Sequence, residues 1–315
     1  MAAMQAVRIH GYGGLEQICC ESAPRPSPAE GQVLVRVHAS SVNQFDLAMC
    51  AGYMAGWYPQ TFPFALGLDV AGVVEELGAG VDDLAPGAAV YARADPGSCG
   101  ANAEYVVVNR SDLAAMPSSL SFAEAAALPH SILSTWRVLV DGANIAAGQR
   151  VLIHAAAGGV GSIAVQLAKA RGAYVIGTAS QPKLGLLREL GADEQIDYTA
   201  VRFEDVVRDV DVVMDNVGGE TQARSWGTLK PGGVLLSLVQ PPDEAEAAAH
   251  GVRQQMVAAL GPARESLEAA AQLIEAGRIR PVVDSIHPLD QAAQAHALVA
   301  GRHTTGRVVL QVRDA

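Results

Sequence analysis

Between residues 33 and 108 the chain sets short apolar runs, VLVRVHA, VAGVVEEL, AAVYA and AEYVVV, between Gly and Pro. Val-rich segments bounded by turn residues predict an antiparallel, barrel-like unit. After Pro117 the pattern changes. From the Ala-rich SFAEAAALP to about Gly277, apolar runs alternate with helix-spaced ones. VLIHA precedes a helix from Gly159, AYVIGT a helix from Pro182, and a short strand falls near EQID. DVVMDNV at 211–217 leads to a helix around 221–229, and GGVLLSL at 232–238 to a last strand near 252–258 and the helix ARESLEAAAQLIEAG. Such alternation predicts a parallel sheet covered on both faces, and six strands fit a doubly wound α/β fold. From Pro281 onward one helix and a terminal strand are expected, returning to the first unit.

The turn between VLIHA and its helix carries the first candidate chemistry. A dinucleotide's pyrophosphate is held by bare backbone N–H groups at a helix N-terminus, and Gly158, Gly159 and Gly161 supply that bareness. The usual G-x-G-x-x-G has Ala156 at its first glycine, which requires negative φ there. The alternative is a tight strand-to-helix turn whose glycines serve packing alone. NAD sites present an acid to the ribose about 20 residues further on. Here no carboxylate occurs from Lys169 through Arg188, whereas Ser180 and Lys183 suit a 2′-phosphate. NADPH is the expected cofactor. Ser180 could equally cap the next helix and leave Lys183 solvated.

Composition narrows the field. With 315 residues, 50% of them hydrophobic, the chain can bury a large core and fill two domains. MAAMQAVRIH has no charged start followed by an apolar run, and no stretch of about 18 apolar residues occurs, so a cytoplasmic protein is expected. A net charge of −11 opposes non-specific binding to nucleic acid or anionic membranes. Cys19, Cys20, Cys50 and Cys99 form no C-x-x-C pair and have no His cluster near them, which argues against a zinc site or a disulfide framework, so reduced, non-ligand thiols are expected.

With SVNQFDLAMCAGY, ALGLDVAGVVEELG, AAALPHSILSTW, the glycine loop, LGADEQIDY, VMDNVGG, LKPGGVLLS and TGRVVL in this order, the chain resembles the zinc-independent medium-chain dehydrogenase/reductases of the quinone oxidoreductase (zeta-crystallin-like) branch. The resemblance implies a GroES-like catalytic domain over residues 1–119 and 280–315 and a Rossmann NADP(H)-binding domain over 120–279. It also implies no metal, since Asn43 stands where zinc-dependent relatives carry Cys, and Gly67, Leu68, Asp69 where they carry Gly-His-Glu. His130 lies near a third ligand position, but one imidazole does not hold catalytic zinc, and it reads as a satisfied histidine.

Residue by residue, the resemblance puts Asn43 beside the nicotinamide and Ser134 within reach of the cofactor. Gly158, Gly159, Val160 and Gly161 fall on the pyrophosphate, Ser180, Lys183 and Tyr198 on the 2′-phosphate, and Asn216 and Val217 beside ribose and nicotinamide. Taken without the motif, Asn43 and Asn216 read equally well as turn residues, and Tyr198 as a half-buried strand end. Tyr53 is the candidate proton donor, one residue out of register with related enoyl reductases; otherwise Tyr53, Trp57 and Tyr58 form an apolar wall and water gives the proton. Ala48 replaces an aromatic of the branch.

The expected function is NADPH-dependent hydride transfer to a quinone or an α,β-unsaturated carbonyl. An enoyl-thioester reductase, or a non-catalytic NADPH-binding protein with a structural or sensing duty, are the alternatives. A homodimer through the edge supplied by GGVLLSLVQ and VRQQMVAAL is expected, with a small-molecule substrate as the other partner.

Overall fold

A computed structural model describes residues 2–313 and divides into two compact units. The first comprises the chain up to His130, Gly261–Glu275 and the chain from Pro281 onward. Its seven-stranded sheet runs, in spatial order, Val283–Pro288, Arg307–Gln311, Gln32–Val42, Asp69–Leu77, Ala89–Arg93 and Leu113–Ala115, with Tyr105–Asn109 also paired to Gln32–Val42. Its pairings are antiparallel except the first, which is parallel. Val33, Val35 and Val37 meet Val70, Val74 and Val90 in a buried core, as the period-two pattern requires. A smaller sheet pairs Cys19–Pro24, Ala3–Ile9 and Phe64–Ala65.

Two features of this unit depart from the sequence reading. The segment after Pro281 contributes two strands, not one. Val283–Pro288 alternates half-buried and exposed positions, and its Asp, Ser, His and Pro disguise it as loop. The helix Arg264–Glu275, expected in the nucleotide-binding domain, belongs here: the Tyr91 hydroxyl donates to the Leu267 carbonyl at 2.6 Å, and Asp112 accepts from the Ala263 amide at 3.1 Å. Phe122 stacks on His38 at 4.2 Å, so the unit continues to His130, past the expected limit at 119.

The second unit, Ser131–Leu260 with Ala276–Arg280, is built on a parallel six-stranded sheet. Its strands, in chain order, are Arg150–Ile153, Tyr174–Ala179, Glu194–Asp197, Val210–Asp215, Leu229–Ser237 and Arg253–Met256. In space the order is third, second, first, fourth, fifth, sixth, the doubly wound arrangement, with a switch point between the first and fourth strands. Leu152, Ile176, Val213 and Leu235 from four neighbouring strands are fully buried, which is why these strands read as nearly continuous apolar runs. The helix expected from Pro182 opens as a 3-10 turn, Gln181–Lys183, before Leu184–Glu189. Among the described residues no helix is long and apolar enough to cross a membrane.

Candidate functional site

In a parallel sheet, ligands bind off the carboxyl ends of the strands at the switch point, and several candidate residues gather there. Gly158 is the N-cap of the helix Gly159–Ala170. The amides of a helix's first turn have no partner within it, so Gly159, Val160 and Gly161 present theirs beyond the helix end. The Gly158 amide is committed, donating to the Ala155 carbonyl at 3.0 Å, so the expected cradle of residues 158 to 161 loses one member. A Cβ on Gly161 would come within 2.3 Å of the Ala155 oxygen, which makes glycine obligatory where helix and strand end meet. Ala156 is not among the residues with positive φ; the left-handed residue is Ala155, at φ 49°. Ser134 is buried on the helix Pro129–Trp136, one residue before Thr135, whose hydroxyl donates to the Val160 carbonyl at 3.4 Å.

The loop after the fourth strand is pinned by a residue that pattern reading missed. Asp215 is fully buried and accepts four bonds: from the amides of Val217 and Gly218 at 3.0 and 2.8 Å, from Gln222 Nε2 at 2.9 Å and from Ser237 Oγ at 2.8 Å. Asn216 Nδ2 donates to the His154 carbonyl at 2.8 Å, while its Oδ1 is buried with no partner. His154 is itself locked. Ser225 donates its hydroxyl to the Thr221 carbonyl and so accepts from Nε2, which leaves Nδ1 to accept from Thr178. Burial holds this imidazole neutral, its pKa lowered to about 4.

Ser180 follows the second strand directly and occupies the N-cap position of the 3-10 turn, but its side chain makes no capping bond. Lys183 is at the end of that turn, half-buried. Tyr198 follows the third strand and is exposed, not half-buried; its amide donates to Ala179, tying the third strand's end to the second's.

In the first unit the structure assembles a polar cluster around Asn43. Asn43 precedes the helix Gln44–Cys50, and its amide donates to Asp46 Oδ2 at 2.7 Å. Its Nδ2 donates to Asp69 Oδ2 at 3.0 Å, and its Oδ1, like that of Asn216, is buried without a partner. Asp69 also accepts from Ser41 Oγ at 2.7 Å and from the His130 amide at 2.7 Å. Burial raises the Asp69 pKa against the charge of Arg307 and these donors. Burial likewise raises Asp46 to about 7, although the amides of Asn43 and Gly67 favour its charged form. His130 is not the satisfied histidine expected: Nδ1 is buried with no partner, and burial together with the charges of Arg307 and Arg93 lowers its pKa to about 3. Asp69 was seen in the sequence only as a missing metal ligand, and the partnership of Asp69 with Arg307 joins opposite ends of the chain.

Tyr53 is 77% exposed and Trp57 75%, whereas Tyr58 packs edge-on against Phe45 with centroids 5.8 Å apart. One thiol differs from expectation: the pairing of Ala3–Ile9 with Cys19–Pro24 brings His10 and Glu21 to Cys19.

Comparison with known proteins agrees with both units. Residues 29–118 match the alcohol dehydrogenase GroES-like domain, and residues 190–310 match the family described as zinc-binding dehydrogenase. The chain is 31% identical over 325 residues to the mitochondrial NAD(P)H oxidoreductase RTN4IP1 of Danio rerio, covering 90% of this chain and 84% of that protein. It is 36% identical over 321 residues to the chloroplastic NADPH-dependent alkenal/one oxidoreductase of Arabidopsis thaliana, covering 98% and 79%. The structure of the Escherichia coli quinone oxidoreductase complexed with NADPH matches with a TM-score of 0.88 at 28% identity, over 99% of this chain and 100% of that one.

Proposed function

The chain belongs to the medium-chain dehydrogenase/reductase family, in its quinone oxidoreductase type, and from that premise we propose that it is an NADPH-dependent reductase that passes hydride to a quinone or an α,β-unsaturated carbonyl without a metal. The observation that carries the reading is the carboxyl edge of the parallel sheet. The first-turn amides of the helix Gly159–Ala170, the obligatory Gly161 and the orphaned Oδ1 of Asn216 support it there. A buried acceptor without a donor costs about 1–3 kcal/mol, and a cofactor hydroxyl or carboxamide would recover it.

The amides of Gly159, Val160 and Gly161 would receive the pyrophosphate. Ser180, Lys183 and Tyr198 would receive the 2′-phosphate, and Asn216, Val217, Ser134 and Asn43 the ribose and nicotinamide. NADPH supplies the hydride from its nicotinamide when bound. Asn43 holds its amide fixed through Asp69, leaving Oδ1 to orient what lies beside it. The three donors on Asp69 and the charge of Arg307 occupy that carboxylate, and the amides of Asn43 and Gly67 occupy Asp46 beside it, which supports a metal-free step. Tyr53, or water, gives the proton that completes the two-electron reduction. A cytoplasmic location and a homodimer through the Arg253–Met256 edge belong to the same proposal.

The test compares NADPH with NADH by calorimetric titration and then repeats it with Lys183→Ala. Loss of a charge-assisted phosphate contact is expected to weaken NADPH by about tenfold or more and to leave NADH unchanged. Equal binding of the two coenzymes, unaltered by the substitution, overturns the cofactor assignment. NADPH oxidation across quinones, alkenals and 2-alkenones tests the reaction; binding without turnover of any of them favours the non-catalytic alternative.

A further inference from the structure

A cluster outside the proposed site joins three different metal-ligating side chains. The strands Ala3–Ile9 and Cys19–Pro24 are antiparallel, with Arg8 opposite Cys19 and Ala6 opposite Glu21. Cys19 and Glu21, two residues apart on one strand, share a face, and His10 stands just beyond the end of the other. His10 Nε2 lies 2.9 Å from Glu21 Oε1, and the Cys19 thiol donates weakly to the Arg8 carbonyl at 3.4 Å. One ligand atom from each of His10, Cys19 and Glu21 lies within 4.8 Å of the others, and among the described residues no other such group occurs. His10 is exposed and the other two half-buried, so an ion can enter from solvent.

We propose that His10 Nε2, Cys19 Sγ and the Glu21 carboxylate form a binding site for a zinc-class divalent cation, separate from the hydride chemistry. One nitrogen, one sulfur and one oxygen donor match the mixed preference of zinc, and three protein ligands leave a fourth position for water. Bond lengths of about 2.0 Å to nitrogen and 2.3 Å to sulfur put tetrahedral donors roughly 3.5 Å apart. The His10–Glu21 pair, at 2.9 Å, must therefore open by about half an ångström and the sulfur must settle at a similar spacing from within 4.8 Å, which side-chain rotation at the end of a hairpin supplies. Arg8 lies 3.0 Å from Glu21 Oε1 and serves as the outer partner that holds the carboxylate in place. The sulfur binds as thiolate, so Cys19 releases its proton to solvent as the ion enters.

The position gives the site a consequence. His10 and Cys19 bracket the loop 10–18, which braces the segment that carries Tyr53. The Gly13 amide donates to Cys50 O at 2.9 Å, the Cys50 thiol donates to Gly14 O at 3.3 Å, and Tyr12 meets Phe62 edge-on at 4.9 Å. An ion at the loop's base staples this brace.

The experiment titrates the chelator-treated full chain with Co²⁺ alone and then displaces it with Zn²⁺. One cobalt per chain is expected, with a thiolate-to-cobalt absorption band that zinc abolishes. Cys19→Ser should lose the band. His10→Ala and Glu21→Gln should weaken affinity by about tenfold or more, since even outer partners of a metal cost about that much. Cys20→Ser and His130→Ala should keep both band and affinity. Far-UV circular dichroism checks that every variant folds. No cobalt uptake with metal in excess, or a band that survives Cys19→Ser, overturns the proposal.

Discussion

Asp69 and Asp215 are both fully buried carboxylates, and each steadies an asparagine whose Oδ1 has no partner. They do so differently. Asp215 takes all four of its bonds from residues 217 to 237 and fixes a backbone loop, so Asn216 is placed by the chain on which it sits. Asp69 takes its bonds from residues 41, 43 and 130 and answers the charge of Arg307, so Asn43 is placed by a side chain drawn from another strand. The first arrangement is a local brace that tolerates change elsewhere; the second makes one asparagine depend on a large part of its unit.

The sharpest break of this comparison is Asp69→Ala. It removes the stronger of the two carboxylates that offset the buried Arg307, and losing one partner of a buried charge pair costs about 3–5 kcal/mol. Urea unfolding should register that loss across the first unit, with reductase activity falling through Asn43. Asp215→Ala leaves four donors without their acceptor but no charge exposed to a partner, and about 2–3 kcal/mol is expected, together with weakened NADPH binding. A stability loss larger for Asp215 than for Asp69 would reverse the comparison.

Asp46 sharpens it further. Its pKa rises from 3.8 to about 7 on burial, so the folded chain retains a proton that the unfolded chain has released between about pH 4 and 7. Stability contributed by this group is therefore full below that window and lost as pH rises through it. Asp46→Asn should flatten the fall of Tm over those pH values. Tyr53→Phe should have the smallest effect on folding, within about 0.5 kcal/mol, because the ring is exposed. If Tyr53 gives the proton, kcat for enones drops while quinones, whose reduced anions protonate from solvent, are reduced as before.

Legibility in the sequence followed the same divide. The six parallel strands and the glycine loop could be read because buried parallel strands are continuous apolar runs and the helix N-terminus follows its strand directly. Asn216 and Val217 were legible as the residues after a strand, but Asp215 was hidden within the strand's own end. The Asp69 cluster was opaque, since nothing in GLDVAG announces partners at 41, 130 and 307. Val283–Pro288 was missed because an edge strand with Asp284, Ser285 and His287 among its six residues lacks the apolar run by which its neighbours are recognised. His10 and Cys19 illustrate the same difficulty: only hairpin register makes neighbours of them.

The left-handed alanine ahead of the glycine loop carries a lesson beyond this chain. At φ 49° Ala155 occupies a conformation that glycine adopts freely and alanine resists, while the place where the three-glycine signature wants its first glycine has no need of one. The sharp corner has slid one residue upstream of the letters normally used to find it. A search keyed to the spelling of that signature would pass over this sheet edge, although its contour survives intact.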